Sequence, residues 1–202
     1  EDHARDESIL KHFHTHIGKM PIEIHRYTDV YYQRRLNNTY QAISDEGFRA
    51  EPVMVDIAGF KITTPPVDFN VFYIFNHLWH HFIADGVGLR QICDWAMLLH
   101  KCHAQIDKER LKGMLEKMGL MKQWKVFGCI AVDVVGLPEG EFPFYDRSHM
   151  DLAQKVYKLV MLEGNFGQAN LKDDNRPSGY LAGKLHSLIF RLKRNFRVLA
   201  LF

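Results

Sequence analysis

The stretch Thr64-Pro65-Pro66-Val67-Asp68-Phe69 separates two kinds of hydrophobic pattern and decides the fold of this chain. Before it, apolar residues alternate with polar ones, which is typical of strands. After it, apolar residues recur every three or four positions, which is typical of helices. The sequence therefore predicts an α+β protein, in which a small, partial antiparallel or mixed β-sheet is followed by a bundle of five or six helices. The predicted domains are residues 1–66 and 67–202.

Two hairpins are predicted before the two prolines. Residues 9–17 and 22–25 flank a turn that contains Gly18, and residues 53–55 and 60–63 flank Ala58-Gly59. Residues 31–46 fit either a short helix or irregular structure. After the prolines, Asp68 is the expected N-cap of a helix that is apolar nearly all round and therefore central. The helices are expected near residues 69–84, 88–101, 107–118, 121–135, 149–162 and 180–199.

Composition excludes several classes of protein. The 202 residues are 47% hydrophobic and 25% charged, which is globular and rules out a disordered tail or a disulfide-rich miniature domain. The 26 basic and 24 acidic residues nearly balance, so the total charge gives no reason to expect nucleic-acid binding. No apolar run is long enough to span a membrane, and we expect no secretory signal, because the first seven residues are mostly charged. Three cysteines without a CxxC pair indicate free thiols in a reducing cytoplasm.

Histidine is the unusual residue, with 12 in the chain. His12, His14 and His16 share one face of the first strand, and His25 lies on the neighbouring strand. Imidazoles bind zinc and other transition metals. Positions i and i+4 of a strand are about 13 Å apart, so one ion can join only adjacent histidines with His25. The face is therefore either a metal-binding surface of a non-enzymatic interaction module or an exposed polar surface.

Two further features attract attention because of their chemistry, a strand carboxylate and a group of helix histidines. Glu23 lies on a predicted strand, where a carboxylate can hold the cations used in phosphoryl transfer, or can simply face solvent. His77 and His81 share a helix face at a spacing that suits a metal ion, with His80 beside them. Position 78 is Leu, so the glutamate of the zincin motif is absent. The alternative is a hydrogen-bonded pair inside the bundle.

Arg90 and Asp94 are four residues apart on the next predicted helix. They are either a surface ion pair worth a few tenths of a kcal/mol or a phosphate-binding site at the mouth of a cleft, in which Asp94 holds Arg90.

The predicted last helix carries five basic residues and no acidic one among its leucines. It is either a membrane-surface or nucleic-acid-binding helix or a terminal bundle helix with a solvated basic face.

Three blocks of sequence together carry a family resemblance. They are Pro21-Ile22-Glu23-Ile24-His25, then Asn76-His77-Leu78-Trp79-His80-His81-Phe82, then Gly86-Val87-Gly88-Leu89-Arg90-Gln91-Ile92-Cys93-Asp94-Trp95. Between about residue 8 and about residue 170, the chain resembles the uncharacterised bacterial nucleotidyltransferases of the DNA polymerase beta-like superfamily. The Gly-Leu-Arg-x-x-x-Asp-Trp block is the most specific part of this resemblance.

The resemblance implies an enzyme that uses Mg²⁺ to transfer a nucleoside monophosphate from a nucleoside triphosphate to a protein, RNA or small-molecule acceptor. Glu23 would be the third metal-binding carboxylate of its catalytic site. His77, His81, Arg90 and Asp94 would belong to the helical domain that closes over the nucleotide. Residues 1–66 would be a remnant of the α/β nucleotidyltransferase domain.

The chain also departs from the family pattern. In such enzymes a Gly-Ser helix start cradles the triphosphate, and an Asp-x-Asp strand supplies two more metal-binding carboxylates. Neither motif occurs in residues 1–202. We therefore expect this chain to be the later part of a nucleotidyltransferase and to be inactive alone.

Overall fold

The computed structural model describes residues 12–25, 27–84, 86–164 and 179–202. Its contacts divide the chain into two compact units, Glu1–Ala50 and Glu51–Phe202. The second hairpin therefore belongs with the helices that follow it. The assignment of residues 1–66 to a nucleotidyltransferase remnant stays a prediction.

The first unit contains a hairpin and one helix. Strands β1, His12–Ile17, and β2, Met20–His25, pair antiparallel around a turn in which Gly18 has a φ of +61°. Helix α1, Arg34–Arg49, forms where the sequence left helix and irregular structure open. The segment before α1 is tied to it, since the Gln41 side-chain amide donates to the Asp29 carbonyl at 2.8 Å.

The second unit begins with the hairpin of β3, Val53–Ile57, and β4, Phe60–Thr64. Helix α2, Val67–Ala84, follows directly after the two prolines. Asp68 therefore lies inside the first turn, and its prediction as the N-cap is wrong. Its side chain is buried and forms an ion pair with Arg110, with 3.2 Å between Oδ2 of Asp68 and Nε of Arg110. An acidic residue is favourable at either position, because both lie at the positive end of the helix dipole.

The predicted α+β class is confirmed, and six helices follow residue 66 in the described part of the chain. The described strands form two separate two-stranded sheets rather than one sheet. Helix α2 is central, as predicted, and packs against α3, α4 and α7, while α5 packs against α3, α4 and α6. The remaining helices are α3, Leu89–Cys102; α4, Lys108–Met118; α5, Met121–Asp133; α6, Met150–Glu163; and α7, Tyr180–Leu199.

Aromatic side chains fill the centre of the bundle. The ring of Phe75 lies 5.0 Å from those of Trp95 and Trp124, and Phe142 from the loop after α5 closes over both tryptophans. The Trp124 indole N–H donates to the Pro143 carbonyl at 2.8 Å, so the loop is held at a buried polar group. Phe142 also lies so close to Gly128 that a Cβ there would be 2.3 Å from its ring.

Helix α7 returns to the end of α2. The buried Arg194 guanidinium donates to the carbonyls of Phe82 and Ile83, which are two of the last four carbonyls of α2. Among the described residues, none of the helices is both long enough and apolar enough to cross a membrane.

Candidate functional site

The two histidines of the α2 pair contact each other directly. His77 and His81 lie one helical turn apart, and their Nε2 atoms are 3.1 Å from each other. The rings meet edge to face, with 4.5 Å between centroids and 84° between planes. At this distance one imidazole must donate the hydrogen and the other must accept it, so the pair cannot hold a hydrogen on both Nε2 atoms.

A column of rings supports this pair. Phe69, Tyr73 and His77 follow one another at four-residue spacing on α2, and adjacent rings stack at 6.1 and 6.3 Å. Side chains four residues apart lie on the same helix face, so the spacing of the sequence builds the column. The imidazoles are half-buried, and their orientation is restricted by packing on the ring below.

A short turn connects the histidine pair to α3. Gly86 has a φ of +93°, which a side chain would strain, and its N–H donates to the His81 carbonyl at 2.8 Å. Gly88 precedes α3, and the Gln91 side chain accepts from its N–H at 2.9 Å. Gly86 thus bonds the last turn of α2, which ends at Ala84, and α3 begins one residue before Arg90.

Arg90 and Asp94 make the ion pair that their spacing predicts. Nε of Arg90 lies 3.9 Å from Oδ2 of Asp94, and the side chains are 91% and 70% exposed. This exposure is that of the surface ion pair. The expected cleft around Arg90 stays a prediction. An exposed pair of this kind adds little to stability. The role of both residues in nucleotide binding stays a prediction.

Glu23 lies in β2, directly opposite His14 of β1 in the strand register. It belongs to the first unit, whereas His77, His81 and Arg90 belong to the second. Its catalytic role stays a prediction.

Two of the strand histidines lie opposite each other in the first hairpin. His12 is opposite His25 in the register, whereas His16 is opposite Pro21. Within residues 12–25, 27–84, 86–164 and 179–202, no group of three or more His, Cys, Asp or Glu residues is arranged to hold a metal ion. The metal-binding alternative, which rests on these histidines, stays a prediction.

The structure adds a hydrogen-bonded carboxylate, Asp146, that the sequence did not indicate. Asp146 accepts from the Ser148 hydroxyl at 2.6 Å and from the Lys125 ammonium at 2.9 Å. These hydrogen bonds, the Ser148 one first, hold the pKa of Asp146 well below its usual range. Asp146 and Ser148 lie on the loop before α6, two residues apart. Lys125 comes from α5, 21 residues before Asp146, so no local spacing could have revealed that second contact.

The cysteines are free thiols, as predicted. Burial, followed by the nearby carboxylates of Asp133 and Asp146, raises the pKa of Cys129 to about 11. Such a thiol is a poor nucleophile at neutral pH.

A second unforeseen contact joins α3 to the loop after α5. Nδ1 of His100 lies 2.6 Å from Oε2 of Glu141, and His103 lies 3.9 Å from the same oxygen. These residues stabilise the edge of the bundle, and they are not part of the predicted site.

Comparison with known proteins identifies the family. A family model described as an uncharacterised nucleotidyltransferase matches residues 2–135, which is more than half of the chain. No curated protein and no solved structure matches. The matched stretch contains Glu23, both histidines of the α2 pair, Arg90 and Asp94. The chain belongs to this uncharacterised nucleotidyltransferase family.

Proposed function

We propose that this chain is the later part of a nucleotidyltransferase, which in its complete form transfers a nucleoside monophosphate from a nucleoside triphosphate to an acceptor. The observation that carries the proposal is the family match over residues 2–135. Phosphoryl transfer depends on positioning and on charge stabilisation, so basic and hydrogen-bonding groups near the triphosphate are the parts to seek.

Three groups of the second unit suit that task. Arg90 presents a planar, permanently charged fork that matches phosphate oxygens, and its exposure leaves most of this fork accessible. Asp94 limits the movement of the arginine. The pair of His77 and His81 can donate to a phosphate once one imidazole turns away from the other, because in the packed pair the Nε2 hydrogen lies between the two rings.

In this proposal Glu23 contributes one carboxylate to a magnesium site. Two-cation phosphoryl transfer needs two or three such groups. The sequence contains no Asp-x-Asp and no Gly-Ser. The residues that the structure describes therefore do not fit a complete magnesium site, and we expect no transfer by the 202-residue chain.

Calorimetric titration of the chain with each nucleoside triphosphate tests the binding role. Arg90→Ala should weaken binding by about 1.5–3 kcal/mol, because a charge-assisted contact is lost. Arg49→Ala is the matched control, since Arg49 makes a similarly exposed pair with Asp45, with 4.0 Å between their charged atoms. Equal affinities of the Arg90→Ala variant and the parent protein would exclude Arg90 from the nucleotide site.

Pyrophosphate release tests the catalytic part. The chain is incubated with magnesium and each triphosphate, and we expect no release above background. Stoichiometric release that Glu23→Ala abolishes would show that a carboxylate pair has been missed.

A further inference from the structure

Helix α7 turns an apolar surface away from the described helices of its own unit. Its large apolar residues recur at intervals of three and four, so they form one stripe along the helix. Each is between 43% and 80% exposed. The stripe consists of Leu181, Leu185, Leu188, Ile189, Leu192, Phe196 and Leu199.

The opposite face of α7 fixes this orientation. Gly183, Arg194 and Val198 are buried, and Arg194 donates to the carbonyls of Phe82 and Ile83 at 2.8 and 2.5 Å. Rotating α7 to bury the stripe would break both hydrogen bonds. The outward direction of the stripe is therefore a property of the packed bundle.

Cations flank the stripe. On a helix of 3.6 residues per turn, Lys184 lies on one side of it, and Lys193 and Arg197 lie on the other. All three side chains are exposed, and residues 180–202 contain no acidic residue. An apolar face bordered by basic side chains on both sides is suited to a surface that is apolar inside and negatively charged at its boundary.

We propose that α7 binds the surface of a membrane containing anionic lipids, with its axis in the plane of the membrane. The stripe enters the boundary between headgroups and acyl chains, and the flanking cations meet lipid phosphates. Nucleic acid fits less well, because it would leave the stripe in water. A second copy fits less well, because pairing two such helices brings like charges together. This inference is independent of the nucleotidyltransferase proposal.

Sedimentation of the full chain with lipid vesicles tests the proposal. One set contains phosphatidylcholine alone, and in the other about a third of the lipid is phosphatidylserine. We expect binding to the anionic vesicles, a weak signal on the neutral ones, and loss of binding as salt is raised. Equal binding to both sets, or to neither, would overturn the proposal.

Matched variants assign the binding to α7. Leu188→Gln with Leu192→Gln should weaken it by about tenfold or more. Met97→Gln with Leu162→Gln should not, although these apolar residues of α3 and α6 are also exposed. An equal loss in both double variants would contradict the assignment. Melting temperature checks that each variant is folded.

A second pair of variants tests the charges. Lys184→Gln and Lys193→Gln should each weaken binding about fivefold, whereas Lys112→Gln and Lys117→Gln on α4 should have little effect. Light scattering and titration with single-stranded RNA complete the test. A dimer that the stripe variant dissociates, or RNA binding tighter than vesicle binding, would replace the lipid surface as the occupant and refute the proposal.

Discussion

Replacing Gly128 by alanine should destabilise the protein, although alanine normally favours a helix. Gly128 lies within α5, where Ala in place of Gly gains about 1 kcal/mol of helix propensity. Against this gain, the new Cβ would lie 2.3 and 2.5 Å from two ring carbons of Phe142. Overpacking of a core costs about 1–3 kcal/mol, and contacts this short lie at the upper end. The net loss should be about 2 kcal/mol.

Gly113→Ala is the control for this prediction. Gly113 also lies inside a helix, α4, but a Cβ there would meet nothing within 4 Å. We expect that variant to gain stability by about 0.4–1 kcal/mol. Thermal unfolding followed by circular dichroism should show Gly128→Ala melting about 4–8 °C below the parent and Gly113→Ala slightly above it.

Adding Phe142→Leu to Gly128→Ala extends the test, because a smaller side chain should relieve part of the overlap. The combined loss should therefore be smaller than the sum of the two single losses. The reasoning fails if Gly128→Ala is as stable as Gly113→Ala, or if the two losses at positions 128 and 142 simply add.

Three further changes have expected outcomes. Arg110→Ala should lower the free energy of unfolding in urea by about 1–3 kcal/mol, because it removes an ion-pair partner of the buried Asp68 carboxylate. In a protein that already carries Asp68→Ala, the same arginine substitution should cost less, and an equal cost in both backgrounds would argue against the pair. Hydrogen bonds lower the pKa of Asp146, so its charged form should stabilise the protein fully at neutral pH and lose this effect only below about pH 4. The difference in free energy of unfolding between the parent and Asp146→Asn should therefore stay constant above about pH 4 and become smaller below it. Cys129, with its pKa raised to about 11, should react with iodoacetamide at pH 8 far more slowly in the folded protein than in urea, as mass spectrometry would show.

The helical half of the fold follows from the sequence because its periodicity is strong. Predicted helix ends after residue 66 agree with the structure to within about two residues. Helix α1 was ambiguous for a physical reason: its buried face includes Ser44 and Gly47 beside Tyr40 and Ile43, and small or polar residues do not register as an apolar stripe. The strands were recognised, but alternation alone does not say which strands share a sheet.

For the candidate site, local spacing predicted which neighbouring side chains touch, but it did not predict what surrounds each pair. The four-residue intervals of His77 with His81 and of Arg90 with Asp94 both become real contacts. Whether such a pair lies in a cleft or in solvent depends on elements distant in sequence, and Arg90 lies in solvent. The bond between His100 and Glu141 spans 41 residues, a separation at which no sequence pattern operates.

The contact between Arg194 and the end of α2 has a consequence for where the protein can be cut. The donor follows its acceptor at Ile83 by 111 residues, so a growing chain completes the end of α2 only after Arg194 has been synthesised. A fragment limited to residues 2–135, the stretch shared with the family, lacks that guanidinium. It also lacks Phe142, which closes over both buried tryptophans of the core. The stretch that matches the family model is therefore shorter than the stretch that supplies the contacts at the end of α2 and over the core tryptophans.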